Sequence, residues 1–423
     1  MRKFVVAVLL LGFIVVGTGV RTSCAGEIDL LLQKLVEKGV LTAGEAQQIG
    51  TETKEQIKAE IAAGQYSSLP AWVQNTKLKG DFRLRYQMEH TSGSTSRTYR
   101  QRERIRLRLG VESKANEKLL VGIGLATGLN DGSADAARST NATLENGFSK
   151  KIISLDYAYA QYMPNSWMTL IGGKFKNPLW EPGDLIWDTD INPEGGVIQL
   201  SRKLNSRVEG FLNAGVLVLD ELSTSNHDPM LNVVQSGVKI GLSDTVSLKT
   251  ALSFYNAAKV KGQKLDGTAG TNRNNGTASG NQLLDGYTTL TPAAEITVKD
   301  PLKSLGIELP MLGVFGEYVN NPQAKDNGNG YMVGCKFGAE KVSKWGDWQF
   351  AYNFAQLQQN AVLDILPDSD RVGGKTGVRA HEGILQFGLG KNTALNIDYY
   401  YGWNMASKHA GAHVAQVDWN VKF

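Results

Sequence analysis

Six arginines recur at every second position in two neighbouring stretches of the chain. In Lys77-Leu78-Lys79-Gly80-Asp81-Phe82-Arg83-Leu84-Arg85-Tyr86, the charged residues Lys77, Lys79, Asp81, Arg83 and Arg85 alternate with Leu78, Phe82, Leu84 and Tyr86. Further on, Arg102, Arg104, Arg106 and Arg108 alternate with Ile105, Leu107, Leu109 and Val111. A period of two puts the guanidinium groups on one face of a β-strand and the apolar side chains on the other. Two adjacent strands of this kind make a basic wall. Such a wall attracts anions if its charges stand free. It is merely structural if Asp81, Glu112 or loop carboxylates neutralise it, and both outcomes stay open at this point. A second charged group, Glu181, Asp184, Asp188, Asp190 and Glu194, falls in one segment between two strand candidates.

Other constellations are weaker. Oxygen-bearing side chains alternate from Asp188 to Glu194 as in a calcium loop, but Pro193 and Gln199 stand where an EF-hand needs its Gly and bidentate Glu. His409 and His413 are four apart with no third ligand evident. The chain has no Gly-x-Ser-x-Gly elbow, phosphate-cradling glycine loop, haem-attachment motif or His-Glu-x-x-His site, so no enzyme, metal or cofactor is expected. Strict alternation of basic with apolar residues also argues against a nucleic-acid surface.

The element that must hold these residues is a two-faced strand. The closing stretch shows it most clearly, with Val417, Trp419, Val421 and Phe423 on one face and Asp418, Asn420 and Lys422 on the other. A soluble sheet hides such an edge. In a membrane barrel the apolar face meets lipid, the polar face meets water in the lumen, and the last strand closes on the first. Sixteen strand candidates run from 76–89 to 413–423, and their connections alternate in length. Long ones at 90–98, 128–151, 177–195, 259–285 and 358–380 share parity with shorter ones at 220–229, 321–329 and 405–412, while tight turns such as Pro164-Asn165 lie between. The Gly/Asn/Thr-rich stretch 262–281 reads as a flexible external loop. The predicted fold is all-β, a transmembrane antiparallel up-and-down β-barrel of about sixteen strands over 76–423. Facing lipid at midplane, each arginine would cost ~2–4 kcal/mol, so all six are predicted to line the lumen.

The N-terminus reads differently. Arg2 and Lys3, the apolar run Phe4 to Val16 and Ser23-Cys24-Ala25 have the layout of a secretory signal ending at Ala25. Its removal takes Arg2, Lys3 and Arg21, lowering the formal charge from +4 to +1, and leaves Cys335 without a partner for a disulfide. In 26–64, Ile28, Leu31, Leu32, Leu35 and Val36 share a helical face, Thr42-Ala43-Gly44-Glu45 reads as a capping box, and Ile57 and Ile61 continue the spacing. This predicts a helical hairpin or short coiled coil that pairs with copies of itself or caps the barrel, followed by a linker over 65–75.

The chain resembles the putative porin family of Gram-negative outer membranes, and general trimeric porins more loosely. The resemblance lies in Trp72-Val73-Gln74 followed by Lys79 to Tyr86, in Gly173-Lys174-Phe175-Lys176-Asn177-Pro178, and in Trp187-Asp188-Thr189-Asp190-Ile191-Asn192-Pro193-Glu194-Gly195-Gly196. It implies an outer-membrane channel for small hydrophilic solutes, a homotrimer among lipid and lipopolysaccharide, a periplasmic N-terminal segment, and a terminal Phe423 read by the barrel-assembly machinery. Likeness to general porins also implies that the third long loop folds inward, so that Glu181, Asp184, Asp188, Asp190 and Glu194 oppose the arginine wall across a constriction. Two other readings compete: a barrel that scaffolds or sheathes a partner such as a cytochrome, and a secreted β-sandwich adhesin.

Overall fold

The computed structural model describes residues 32–62, 73, 75–92, 97–223, 226–276, 282–407 and 411–423. The signal segment 1–25 with Cys24, the apolar positions Ile28 and Leu31, nearly all of the 65–75 linker, and His409 lie outside these residues. The chain divides into two compact units between Gln74 and Asn75. In the first, residues 32–37 are helical and a second helix runs Ala43–Ala62. Its start is fixed by a reciprocal cap. The Glu45 N–H donates to Thr42 Oγ1 at 3.3 Å, and the Thr42 N–H donates to a Glu45 carboxylate oxygen at 2.8 Å.

In the second unit, one antiparallel sheet closes on itself. Its long strands are β1 (Thr76–Ser92), β2 (Arg97–Lys114), β3 (Leu119–Thr127), β4 (Ile153–Asn165), β5 (Met168–Lys174), β6 (Glu194–Lys203), β7 (Val208–Val218) and β8 (Met230–Gly241). They continue as β9 (Val246–Ala258), β10 (Tyr287–Lys299), β11 (Met311–Asn320), β12 (Asn329–Gly338), β13 (Trp348–Leu357), β14 (Val378–Gly390), β15 (Thr393–Asn404) and β16 (Gly411–Lys422). A two-residue strand, Ala142–Thr143, pairs with the upper part of β2, which outreaches β3. A single closed sheet rules out the two packed sheets of a β-sandwich adhesin. The first hairpin is longer than its sequence pattern, because pairs such as His90↔Tyr99 and Thr91↔Thr98 extend the ladder.

Closure lies between the last strand and the first. β16 pairs with β1 from Asp81↔Lys422 to Thr91↔Ala412. The Gly80 N–H donates to the Phe423 carbonyl at 2.7 Å, and the Phe423 N–H donates back at 3.0 Å. A Cβ on Gly80 would lie 2.6 Å from the Phe423 ring, so the seam requires glycine there.

The outer face is apolar, with Leu84, Val111, Ile123, Phe254, Val314, Val333, Ile397 and Trp419 all exposed. Lipid, not water, suits such a belt. Cys335 sits on it opposite Val314, as its alternation with Val333 and Phe337 predicted. Rings gather toward both rims: Tyr399, Tyr401 and His413 at the long-loop end, Trp345 and Phe387 at the other. Loop parity holds, although 300–310 and 339–347 on the short side exceed tight turns.

The interior differs from a uniformly polar lumen. Val197, Leu217, Val233, Tyr255, Phe315, Met332 and Leu357, from β6 to β13, are buried inside the barrel. The loops 175–193, 259–286 and 358–377 cover them with Phe175, Leu185, Ile186, Trp187, Val260, Leu283, Val362, Leu363 and Leu366. Those strands carry apolar residues on both faces, and the loops hide the inner one from water. Part of the stretch expected to be a flexible external loop is thereby fastened: Thr268 Oγ1 and the Thr271 and Asn272 N–H groups donate to the Asp364 carboxylate.

Candidate functional site

The first hairpin brings all six arginines to the inner face of the barrel. Its register sets Arg83 opposite Arg106 and Arg85 opposite Arg104, where like charges repel. Carboxylates interleave to relieve this. Asp81 takes Arg106 and Arg108, both at 2.7 Å. Asp418, brought in by the closing strand, takes Arg85 at 2.7 Å and Arg83 at 3.3 Å. Glu89 takes Arg102, and Asp370 from loop 358–377 reaches Arg85 at 3.2 Å. Among the described residues, Arg104 alone of the six has no carboxylate partner. It donates to Gln87 at 3.2 Å and to the Asn141 carbonyl at 3.3 Å.

The third long loop spans 175–193 and does fold inward. Gly173 and Gly195, cross-strand partners at its feet, adopt φ of 119° and 141°, a region closed to other residues. A Cβ would meet the Ala158 carbonyl at 2.3 Å in one case and the Val216 carbonyl at 2.2 Å in the other. Inside the barrel, Gln235 of β8 clasps the loop, accepting from the Trp180 N–H and donating to its carbonyl, each at 2.8 Å. Glu317 of β11 accepts from the Leu185 N–H at 3.0 Å.

The five acids divide. Asp190 alone reaches the arginine wall, at 3.3 Å from Arg108, and it also accepts from Thr140 Oγ1 at 2.9 Å. Burial pushes its carboxyl up, but Arg106 and Arg108 outweigh that and hold it below its ordinary range. Asp188 turns toward loop 358–377 and accepts from the Ser369 N–H at 2.8 Å. Burial, and then the neighbouring Asp190, push it up to about 7. Asp184 pairs with Arg371 at 2.6 Å, and Arg371 also holds Glu382 at 3.0 Å. Glu181 accepts from the Tyr255 hydroxyl at 3.1 Å and is raised by burial and then by Glu317. Glu194 is not in the loop; it begins β6 and pairs with Lys174 at 2.9 Å. Of the five acids expected to oppose the arginines, Asp190 alone makes an ion pair with the wall. Leu185, Ile186 and Trp187 dock on the far wall and carry the other loop acids with them.

The calcium-like alternation dissolves in the same way. Asp188, Asp190 and Glu194 face different partners, and Asn192 donates to Asp156 at 2.8 Å. Among the described residues no three acidic, His or Cys side chains are grouped to hold a metal. His413 stacks on Tyr401 with centroids 4.6 Å apart.

Several residues carried no periodic signal. Arg371 is buried between three carboxylates, and Arg138 donates to the carbonyls of Asp364, Pro367 and Gly374, tying loop 128–152 to loop 358–377. Asp418 was legible only as a lumen-face residue of the strand predicted to close on the first; its register opposite Arg85 came with the fold. Between the arginine wall and the third loop lies a cavity of about 660 Å³. Lys79, Asp81, Arg108, Lys176, Asp188 and Asp190 line it together with Tyr157, Trp187 and Phe423.

A closed barrel, apolar outside and charged along one inner wall, defines a membrane-spanning β-barrel protein whose lumen is its working part. The chain belongs to the putative porin family, whose model matches residues 40–99, 92–289 and 293–423. It is thus a channel protein of the Gram-negative outer membrane. Among solved structures, the high-pH structure of Pseudomonas putida OprB is 10% identical with a TM-score of 0.54, over 86% of this chain and 97% of that one. A triple mutant of the Rhodopseudomonas blastica porin is 10% identical (TM-score 0.43, 82% and 100% covered). The Salmonella typhi OmpF complex with daunomycin is 11% identical (TM-score 0.48, 82% and 97% covered). The likeness to OprB concerns the barrel fold. No curated protein matches the chain.

Proposed function

We propose that the channel passes small hydrophilic solutes by passive diffusion through the space between the arginine wall and the third loop. The observation that carries this reading is the meeting of Asp190 with Arg108 at the edge of the 660 Å³ cavity. The local field that these opposite charges set up beside the cavity orients dipolar solutes, and the narrowing they make limits solute size. Arg83, Arg85, Arg102, Arg104, Arg106 and Arg108 form the basic side, and Asp190 the acidic side. Because Asp81, Asp418 and Glu89 interleave with the arginines, the wall acts as a field of alternating sign, and its contribution to anion preference rests chiefly on Arg104. The barrel works as a homotrimer among lipid and lipopolysaccharide, with the N-terminal helical segment in the periplasm and Phe423 read during assembly. A sheath around a protein partner is the poorer reading, since residues of three inward loops already pack against the inner face of β6 to β13.

Planar-bilayer recording of refolded protein tests the pore. Discrete ohmic steps are expected, and their absence would overturn the reading. In a KCl gradient, Arg104→Glu should shift the reversal potential toward cation preference; an unchanged potential would remove Arg104 from the selectivity argument.

A further inference from the structure

The cations that lack carboxylate partners point to a second site away from the arginine wall. Lys239 of β8 and Lys249 of β9 are directly opposed in the ladder, a like-charge arrangement that costs stability unless something compensates it. The nearest carboxylates make no ion pair with either lysine among the described residues. Glu209, cross-strand from Lys239, accepts from Ser201 Oγ at 2.8 Å. Glu295, cross-strand from Lys249, pairs with Lys336, and Asp244 pairs with Arg207. Lys249 instead stands 4.6 Å from the Trp180 ring centre and 5.3 Å from that of Phe211. Ring faces stabilise an ammonium but leave its charge uncancelled. Lys299 also lacks an ion-pair partner among the described residues, and the three lysines share one cavity with Lys336 and with the carboxylates Asp244, Glu295 and Glu340.

These side chains line a cavity of about 540 Å³ at the short-turn end of the lumen, with Trp180 of the third loop among its lining residues. We infer that it is a subsite for a small solute bearing carboxylate or phosphate groups, held by Lys239, Lys249 and Lys299. The cavity has room for such a solute, and an oxyanion between opposed ammonium groups removes their repulsion while gaining charge-assisted hydrogen bonds. The inference rests on the pore reading for the route by which solutes arrive.

Calorimetry on the refolded full-length protein in neutral detergent at low salt tests it, with citrate and inorganic phosphate as probes. At least one probe should bind, more weakly as salt rises. Its affinity should fall about tenfold or more in Lys239→Gln with Lys249→Gln, and recover in Lys239→Arg with Lys249→Arg. Citrate binding alone assigns carboxylate solutes, and phosphate binding alone assigns phosphate solutes. No binding of either, or binding undiminished in the Gln variant, overturns the subsite. KCl conductance steps report separately on the pore: steps without anion binding remove the subsite alone, whereas binding without steps removes the pore reading and keeps the subsite.

Discussion

At the residue scale, charge pairing decides what the arginine wall can do. Asp418 serves two guanidinium groups and is itself 3% exposed, so its removal strands buried charge. Asp418→Asn should cost about 3–5 kcal/mol. Glu194→Gln, which breaks a more exposed pair with Lys174, should cost about 1 kcal/mol or less. Chemical unfolding of the refolded proteins compares them, and equal stabilities would refute the pairing account. Gly80 gives a steric counterpart. Gly80→Ala drives a methyl into the Phe423 ring and the Arg108 carbonyl, whereas Gly383→Ala on β14 meets nothing within 4 Å. Refolding yield should fall for the first and hold for the second. Alternation alone assigned the six arginines to one face, because a strand offers side chains only two directions. It did not say which carboxylates would reach them, since those arrive from the closing strand and from loops distant in sequence.

At the element scale, the third loop is a wedge seated by buried acids. Asp188 pushed up to about 7 binds a proton more readily in the seated loop than in a free one. Its seating contribution is full near pH 4, falls as pH rises through 7, and is lost above that. Glu181 and Asp368, both raised by burial first, act in the same sense. Asp190 is lowered, so its contribution holds above the ordinary carboxylate range and is lost in acid. Fluorescence of buried Trp187 should report looser seating from pH 5 toward pH 8 in the wild type, with a flatter profile in Asp188→Asn. Identical profiles would remove Asp188 from the account. The loop's inward course had a local trace in the paired glycines Gly173 and Gly195, but its docking partners had none.

At the scale of the whole molecule, the wall and the N-terminal helices are separate compact units. Deleting residues 26–64 should therefore leave the single-channel step unchanged in bilayers, because no wall residue is lost. A changed step would tie the helices to the conducting path. Light scattering of the detergent-purified protein should give three copies, and a monomer would overturn the trimer.

Local pattern was enough for the barrel: alternation gave the two faces, loop parity gave the even strand count, and the terminal strand gave the closure on the first. These are local regularities, repeated at every strand, so they survive without knowledge of distant contacts. The capping box at Thr42 and Glu45 was legible for the same reason. Tertiary structure alone decided how the lumen is filled. Leu185, Ile186 and Trp187 find their partners on β8 to β13 and on loop 358–377, and burying that apolar surface overrides the charge pattern that pointed the loop's acids at the arginines. Which cations keep an unbalanced charge was settled there too, because ion pairing depends on distances of a few ångströms between segments far apart in the chain. The arginines obvious in the sequence proved mostly paired, whereas the lysines opposed across β8 and β9 make no ion pair among the described residues.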